Sequence, residues 1–385
     1  MSLFARFARK FPPADGKIKA MQASIRKTIV FAYPAESSKS MRIVNIMLAE
    51  VRGGVETMAL RYHQALRAAG FEVLSLGHPK GVFAGALPPE AFVPVNALIN
   101  HDPRAAWQLR AITKRFRPDI VLAHGNRPTG IALLPFTGAA GKTVQVAHNF
   151  RHKPQVDRVR AAIAVSGSVG DSLRAVHPAL PVFEVANFGP LDIAPVKPAP
   201  SGIPVIGTLG RLHRNKGIDV MLRALARLRA RGVAVRVKIA GDGPETAALQ
   251  GLTTELGLDH LVEFAGWVDP ATYLPTLDLF VLPSRVEPFG LVVAEGMAAG
   301  VPVIASRIDG PIEILSNGAL GHLVAPEDAA ALADTIADAL GDWDDTLTRA
   351  RAAQTHAIDQ FSLAAGQRRL VAVMEQIASI LAKSS

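Results

Sequence analysis

Two carboxylates eight positions apart, in Glu287-Pro-Phe-Gly-Leu-Val-Val-Ala-Glu295, give this chain its most specific chemical signal. Eight residues make a little over two turns of helix, about 12 Å of rise, so a helix opened by Phe289 and Gly290 lets both acids face one ligand from different heights. One acid suits the hydroxyls of a sugar and the other the vicinal diol of a ribose, while the turn from Pro288 to Leu291 presents backbone N–H groups between them. A second group is Gly210-Arg211-Leu-His-Arg-Asn-Lys216-Gly217, where two cations flank one loop. An arginine fork and a lysine point charge, aimed beforehand at a pyrophosphate, stabilise the charge that develops as a glycosidic bond to it breaks. A third is Gly53-Gly54-Val55-Glu56, where the missing Cβ atoms allow close approach of a ligand to backbone N–H groups at the start of a helix. A plain strand-to-helix turn would use the same glycines, and no Gly-x-Gly-x-x-Gly is present, which argues against a dinucleotide cofactor.

These groups need strands to carry them. From Met41 onward short β-branched runs alternate with segments of helical period, the pattern of βαβ units on a parallel sheet. Strands are predicted at 42–48, 71–76, 119–124, 143–148, 162–166 and 182–187, with helices notably at 55–69 and 103–116. The stretch 190–204 holds five prolines, which neither donate to a sheet nor continue a helix, and reads as a linker over 191–204. The alternation then restarts, with strands near 204–209, 234–240, 261–265, 279–283 and 302–305. Residues 327–383 are alanine-rich and read as helices. The fold class is therefore α/β, with two Rossmann-like doubly wound parallel sheets facing across a cleft and helices at the C-terminal end. Such sheets bind ligands beyond the carboxyl ends of their strands, which is where all three groups fall.

At 385 residues, 49% hydrophobic and 19% charged, the chain has apolar surface for two cores. It contains no cysteine, which excludes disulfides, thiolate metal sites and a cysteine nucleophile and suits a reducing cytoplasm. The formal charge of +9 is unevenly spread: residues 1–40 hold eight Lys/Arg against Asp15 and Glu36, so the rest is nearly balanced. A basic, aromatic-interleaved face is missing from the body, and nucleic acid is not an expected partner. In the leader, Phe4, Phe7, Ala8 and Phe11 interleave with Arg6, Arg9 and Lys10, a pattern suited to an anionic membrane surface or to a disordered tail. No secretory apolar region and no uninterrupted apolar run of about 18 residues occurs. A cytoplasmic protein is expected, peripheral at most on the inner face of the membrane.

Taken together, the Glu-x7-Glu string, the Gly-Arg-x4-Lys-Gly loop and the Gly-Gly loop after the first strand resemble the retaining, family 4 type glycosyltransferases of the GT-B fold. Ile239-Ala-Gly-Asp-Gly-Pro244 and Phe264-Ala-Gly extend the resemblance, which covers nearly everything after Met41. It implies an N-terminal acceptor-binding domain over 41–190, a nucleotide-sugar-binding domain over 205–362, and a last helix from 363 that crosses back to the first domain. It implies that Arg211 and Lys216 bind the donor diphosphate, Glu295 the ribose and Glu287 the transferred sugar, with Pro288, Phe289, Gly290 and Leu291 lining it. Gly53, Gly54 and Gly241 join the donor site. His124 and His148, at strand ends, match positions beside the donor sugar and complete the candidate catalytic set. Gly-Asn-Arg-Pro after His124 departs from commoner family forms. Retention is described for the family as front-face substitution, so no protein nucleophile is named. Neither cofactor nor metal is expected, the nucleotide sugar being a co-substrate, and Asp342-Trp-Asp344 reads as surface. The partners implied are a nucleotide-diphosphate sugar and a glycan or lipid-linked acceptor. A nucleotide-sugar epimerase or other GT-B enzyme, and a non-catalytic nucleotide-sugar-binding protein, are the alternatives.

Overall fold

In the computed structural model, which describes residues 41–50, 53–97, 99 and 101–383, the alternating runs build two parallel sheets in tandem. The basic leader of residues 1–40, with its membrane-surface reading, lies outside the described residues. The first sheet contains β1 (Arg42–Met47), β2 (Glu72–Gly77), β3 (Phe92–Pro94), β4 (Ile120–His124), β5 (Thr143–Ala147), β6 (Ala161–Ala164) and β7 (Val182–Glu184). The second contains β8 (Val205–Leu209), β9 (Arg236–Ala240), β10 (Val262–Gly266), β11 (Leu279–Leu282), β12 (Val303–Ser306) and β13 (His322–Val324). Their orders are β3-β2-β1-β4-β5-β6-β7 and β10-β9-β8-β11-β12-β13, and the paired strands run parallel. Each order reverses beside its first strand, between β1 and β4 and between β8 and β11, and these two switch points are where a doubly wound sheet opens a crevice.

Burial explains the strand sequences. β4, β5, β6, β11 and β12 are buried at every residue, so their runs are continuously apolar or small instead of alternating, and helices must cover both faces. The edge strands β3 and β13 were not anticipated from the sequence. Each has three residues, too short to show a period, and Pro94 in β3 stands at an edge, where a missing N–H does no harm. Helix Pro103–Phe116 shows why its predicted span held: Asp102 caps it by accepting the Arg104 N–H at 2.9 Å, and Pro103 opens it.

The prolines between the sheets leave residues 190–204 outside any helix or strand, and side chains on both sides tie the segment to the second domain. Gln354 Nε2 donates to Ala194 O (2.7 Å) and to Ala298 O (2.8 Å), and Lys197 Nζ donates to Leu277 O (3.0 Å). Three helices close the chain: Ala329–Gly341, Trp343–Phe361 and Leu363–Ala382. The last packs on helix Gly54–Ala68 of the first domain, where Gln367 Nε2 donates to Ala65 O at 2.9 Å. Beside it Gly189 pairs with Ser362, and the Phe188 ring lies stacked against Tyr62 at 5.9 Å. Asp342 and Asp344 are exposed, and Asp342 caps helix Trp343–Phe361 through the Asp345 N–H, so this Asp-x-Asp has a helix-capping role on the surface.

Candidate functional site

The loops leaving β8 and β11, neighbours at the second switch point, are locked to each other. The β8 loop makes a tight turn over Arg214–Lys216 and enters helix Ile218–Ala230 through Gly217, whose φ is 64°. A Cβ at Gly217 would lie 1.9 Å from Pro283 O, so the close approach of the two loops requires glycine. Arg285 then spans them. Its backbone N–H donates to Asn215 O (2.7 Å), Nη1 to Arg214 O (2.8 Å), and its two η nitrogens grip both Asp219 oxygens at 2.8 and 2.7 Å. That fork holds the Asp219 carboxyl below its ordinary range and the Arg285 guanidinium above its own. Behind the loop, Gly241 (φ 120°) lets its strand end approach Gly210, since a Cβ there would fall 1.9 Å from Gly210 O.

This bracing sets the reactive side chains. The Lys216 ammonium donates to the Glu287 carboxylate, which the Ser284 hydroxyl approaches at 3.4 Å. Both partners are largely covered, with 24% and 11% of their side chains exposed. Arg211, five residues before Lys216, is exposed and has no hydrogen-bond or ion-pair partner among the described residues. Across the cleft, Ser166 Oγ donates to Pro288 O at 2.7 Å and the Gly167 N–H to Glu313 Oε2 at 2.9 Å. Pro288 is half-buried, and Phe289 is buried edge-on against Phe361 at 5.5 Å. Gly290, at φ 92°, turns the chain into helix Leu291–Ala298.

Glu295 is placed differently. Helix Leu291–Ala298 excludes Glu287, so the two acids are not two turns apart on one helix as the spacing suggested; about one turn separates Leu291 from Glu295. Glu295 lines a cavity of about 180 Å³ with Arg61, Pro190, Asp192, Leu274 and others, at the junction between the domains. Burial raises its carboxyl above the ordinary range, an effect that Arg61 opposes and Asp192 reinforces. Burial likewise lowers the Arg61 guanidinium, which is anchored by donation from Nη1 to Phe188 O at 2.9 Å. A raised carboxyl pKa burdens the fold above the folded-state value and leaves no burden below the unfolded-state value. Glu295→Gln is therefore expected to raise the melting temperature at neutral pH, with the gain vanishing in acid, while weakening nucleotide binding; thermal scans across pH read it.

In the first domain, Gly53 and Gly54 are exposed and open helix Gly54–Ala68. The Glu56 carboxylate folds back over them, near enough that a Cβ on Gly53 would meet Oε2 at 3.0 Å, and burial raises its pKa against the pull of the nearby Glu56 and Gly53 amides. His124 ends β4 and His148 follows β5, both buried and joined by a 3.0 Å hydrogen bond between Nδ1 of the first and Nε2 of the second. Burial lowers His148 to about 4, and burial with His148 nearby lowers His124 well below the usual range. Neither ring bonds to Arg211, Lys216, Glu287 or Glu295. Sequence reasoning missed Arg285, Asp219 and Arg61. Arg285 left a trace, a cation two residues before Glu287 at the end of an apolar strand; Arg61 left none, because its partner carbonyl on Phe188 lies far along the chain.

Comparison with known proteins places this arrangement. Residues 52–182 match the family model for Glycosyltransferase Family 4, and residues 203–342 match that for Glycosyl transferases group 1. The lipopolysaccharide core biosynthesis glycosyltransferase LpsE of Rhizobium meliloti is 36% identical over 144 residues, 37% of this chain and 41% of that protein, so the match spans less than half of LpsE. LpsD of the same organism is 28% identical over 237 residues, 60% of this chain and 67% of that protein. Among solved structures, a glycosyltransferase from Rickettsia africae superimposes with a TM-score of 0.75 at 21% identity, covering 88% of this chain and 99% of that one. HepE of Anabaena gives 0.74 at 20% identity over 87% and 100%. Two switch-point crevices face to face, the loop pair at β8 and β11, and matches in both halves agree: this chain belongs to the family 4 glycosyltransferases of the GT-B fold.

Proposed function

We propose that this chain is a retaining glycosyltransferase that moves a hexose from a nucleotide-diphosphate sugar to a glycan or lipid-linked acceptor of the lipopolysaccharide type. The observation that carries the reading is the braced loop pair, in which Arg285 holds Lys216 against Glu287 and leaves Arg211 without a partner beside them. In this reading the diphosphate draws Lys216 and Arg211 onto itself and frees Glu287 for the hydroxyls of the sugar. The amides from Phe289 to Leu291 and the glycines Gly53, Gly54 and Gly241 border the donor, and Glu295 holds the ribose. As the bond to the anomeric carbon breaks, the leaving phosphate oxygen takes the acceptor's proton, and the acceptor oxygen enters on the same face. Neutralisation falls to the two cations, so no metal is assigned.

Support comes from the relatives. HepE was crystallised with UDP and glucose, LpsE and LpsD are named for lipopolysaccharide core biosynthesis, and a GDP-mannose-dependent mannosyltransferase of Mycolicibacterium smegmatis is 36% identical over 150 residues. Among the described residues no helix is long and apolar enough to cross a membrane, and a peripheral position on its cytoplasmic face would meet a lipid-linked acceptor. The test is a panel of UDP-, GDP- and ADP-sugars offered with truncated lipopolysaccharide. Expected are acceptor-dependent release of nucleoside diphosphate, a product whose anomeric signal keeps the donor's configuration, and a rate unchanged by a chelator. Isomerisation of the donor without transfer would instead mark an epimerase, and binding without turnover a non-catalytic protein.

A further inference from the structure

A buried run of polar side chains crosses the first sheet beneath the carboxyl ends of its strands, and its hydrogen bonds have an assignable direction. Asn45 on β1 fixes the sense. Its Nδ2 donates to Ala59 O (2.9 Å), a carbonyl that can only accept, and to Ser75 Oγ (3.2 Å). Asn45 Oδ1 is then the atom 2.8 Å from His124 Nε2, and because an amide oxygen can only accept, that ring nitrogen carries the proton. Burial and the neighbouring His148 keep His124 neutral, so its Nδ1 is a lone pair. The His148 Nε2, 3.0 Å away, must donate to it. His148 is also neutral, which leaves its Nδ1 as a bare acceptor. On the other side, the Ser75 hydroxyl that receives Asn45 donates to His63 Nδ1 at 2.9 Å, so the amide is held at both ends.

His148 Nδ1 has no partner among the described residues and is not sealed in the interior, the side chain being buried short of complete enclosure. Its place makes that lone pair useful. His148 is the first residue past β5, and Ser166, just past the adjoining β6, reaches the Pro288 carbonyl of the other domain. The rim that carries His148 therefore faces the second domain. We propose that Asn45 is a positioning residue that, through His124, presents His148 Nδ1 as a fixed hydrogen-bond acceptor for a hydroxyl of the bound sugar. A phosphate or carboxylate oxygen brings no proton and gains nothing there, so the site favours a hydroxyl over the diphosphate that carries the sugar. The ligand in this inference rests on the nucleotide-sugar reading; the wiring does not.

Nitrogen-15 NMR of the histidine rings in the full chain, without substrate, reads the wiring directly. The expected spectrum has the His148 proton on Nε2. In Asn45→Asp the carboxylate holds His124 with protons on both nitrogens, and His124 then donates to His148 Nε2 and moves that ring's proton to Nδ1. A wild-type proton on Nδ1, or an Asn45→Asp spectrum identical to wild type, overturns the proposal. The ligand is read with deoxyfluoro analogues of UDP-glucose, or of GDP-mannose if the wild type binds that donor, because fluorine cannot donate. One analogue is expected to bind wild type about tenfold more weakly than the parent sugar, a loss that narrows in Asn45→Asp, with free UDP or GDP bound equally by both. Equal losses in the two proteins at every position overturn the hydroxyl assignment. A wild type that binds neither donor overturns the nucleotide-sugar reading, while the spectrum still decides the wiring.

Discussion

Lys216→Ala is expected to lower kcat/KM for the nucleotide sugar by about a hundredfold to a thousandfold, the range seen when a preorganised charge-stabilising donor is removed. The protein should remain folded, because the loop is held by Arg285 and by backbone contacts that the lysine side chain does not make. Two effects add. The leaving diphosphate loses its covered cation, and before the donor arrives the Glu287 carboxylate, whose side chain is 11% exposed, stands without the cation that neutralises it. Lys216→Arg keeps the charge but not the compact point contact with Glu287, and should recover part of the rate. Circular dichroism matched to wild type, with steady-state rates within threefold of it, would remove Lys216 from the reaction.

Gly217→Ala tests the seam between the two loops. The left-handed backbone at Gly217 costs an alanine about 1–2 kcal/mol, and the added Cβ must also displace the Pro283 carbonyl, which would stand 1.9 Å away. Gly232→Ala is the matched control, since Gly232 has φ 73° but nothing within 4 Å of the added atom. Gly217→Ala is expected to lose clearly more stability in denaturant titration than Gly232→Ala. It should also lose activity, because moving Pro283 moves the segment that carries Arg285 and Glu287. Equal stability losses would mean that the two loops yield freely to each other.

The legible parts of this molecule were those written locally. Buried parallel strands such as Ile120–His124 and Leu279–Leu282 announce themselves as apolar runs bounded by breakers, so both sheets could be anticipated from the sequence. β3 and β13 could not, since three residues at an edge carry no period. Arg211, Lys216 and Glu287 were visible because strand–loop–helix junctions place short-range sequence neighbours beside one another. What joins them was less visible. The Arg285–Asp219 fork links residues 66 apart, and the Asn45–His124 bond links residues 79 apart, so each exists only once the sheet order is known. The helix start at Gly290 was legible, but counting two helical turns between Glu287 and Glu295 was not warranted, since Glu287 precedes the left-handed turn and Glu295 lies about one turn past it.

The chain passes between its halves at two points that lie side by side. One pass leaves β7 through Phe188 and Gly189, the other leaves helix Trp343–Phe361 at Ser362, and the Gly189 N–H donates to Phe361 O at 3.0 Å where they meet. Two adjacent pins on a door leave a single axis of swing and little room to slide. Any widening of the crevice to admit a long donor or a bulky acceptor must then be a rotation about the Gly189–Ser362 seam. The last helix would ride with the half to which it is fastened and not with the half that precedes it in sequence.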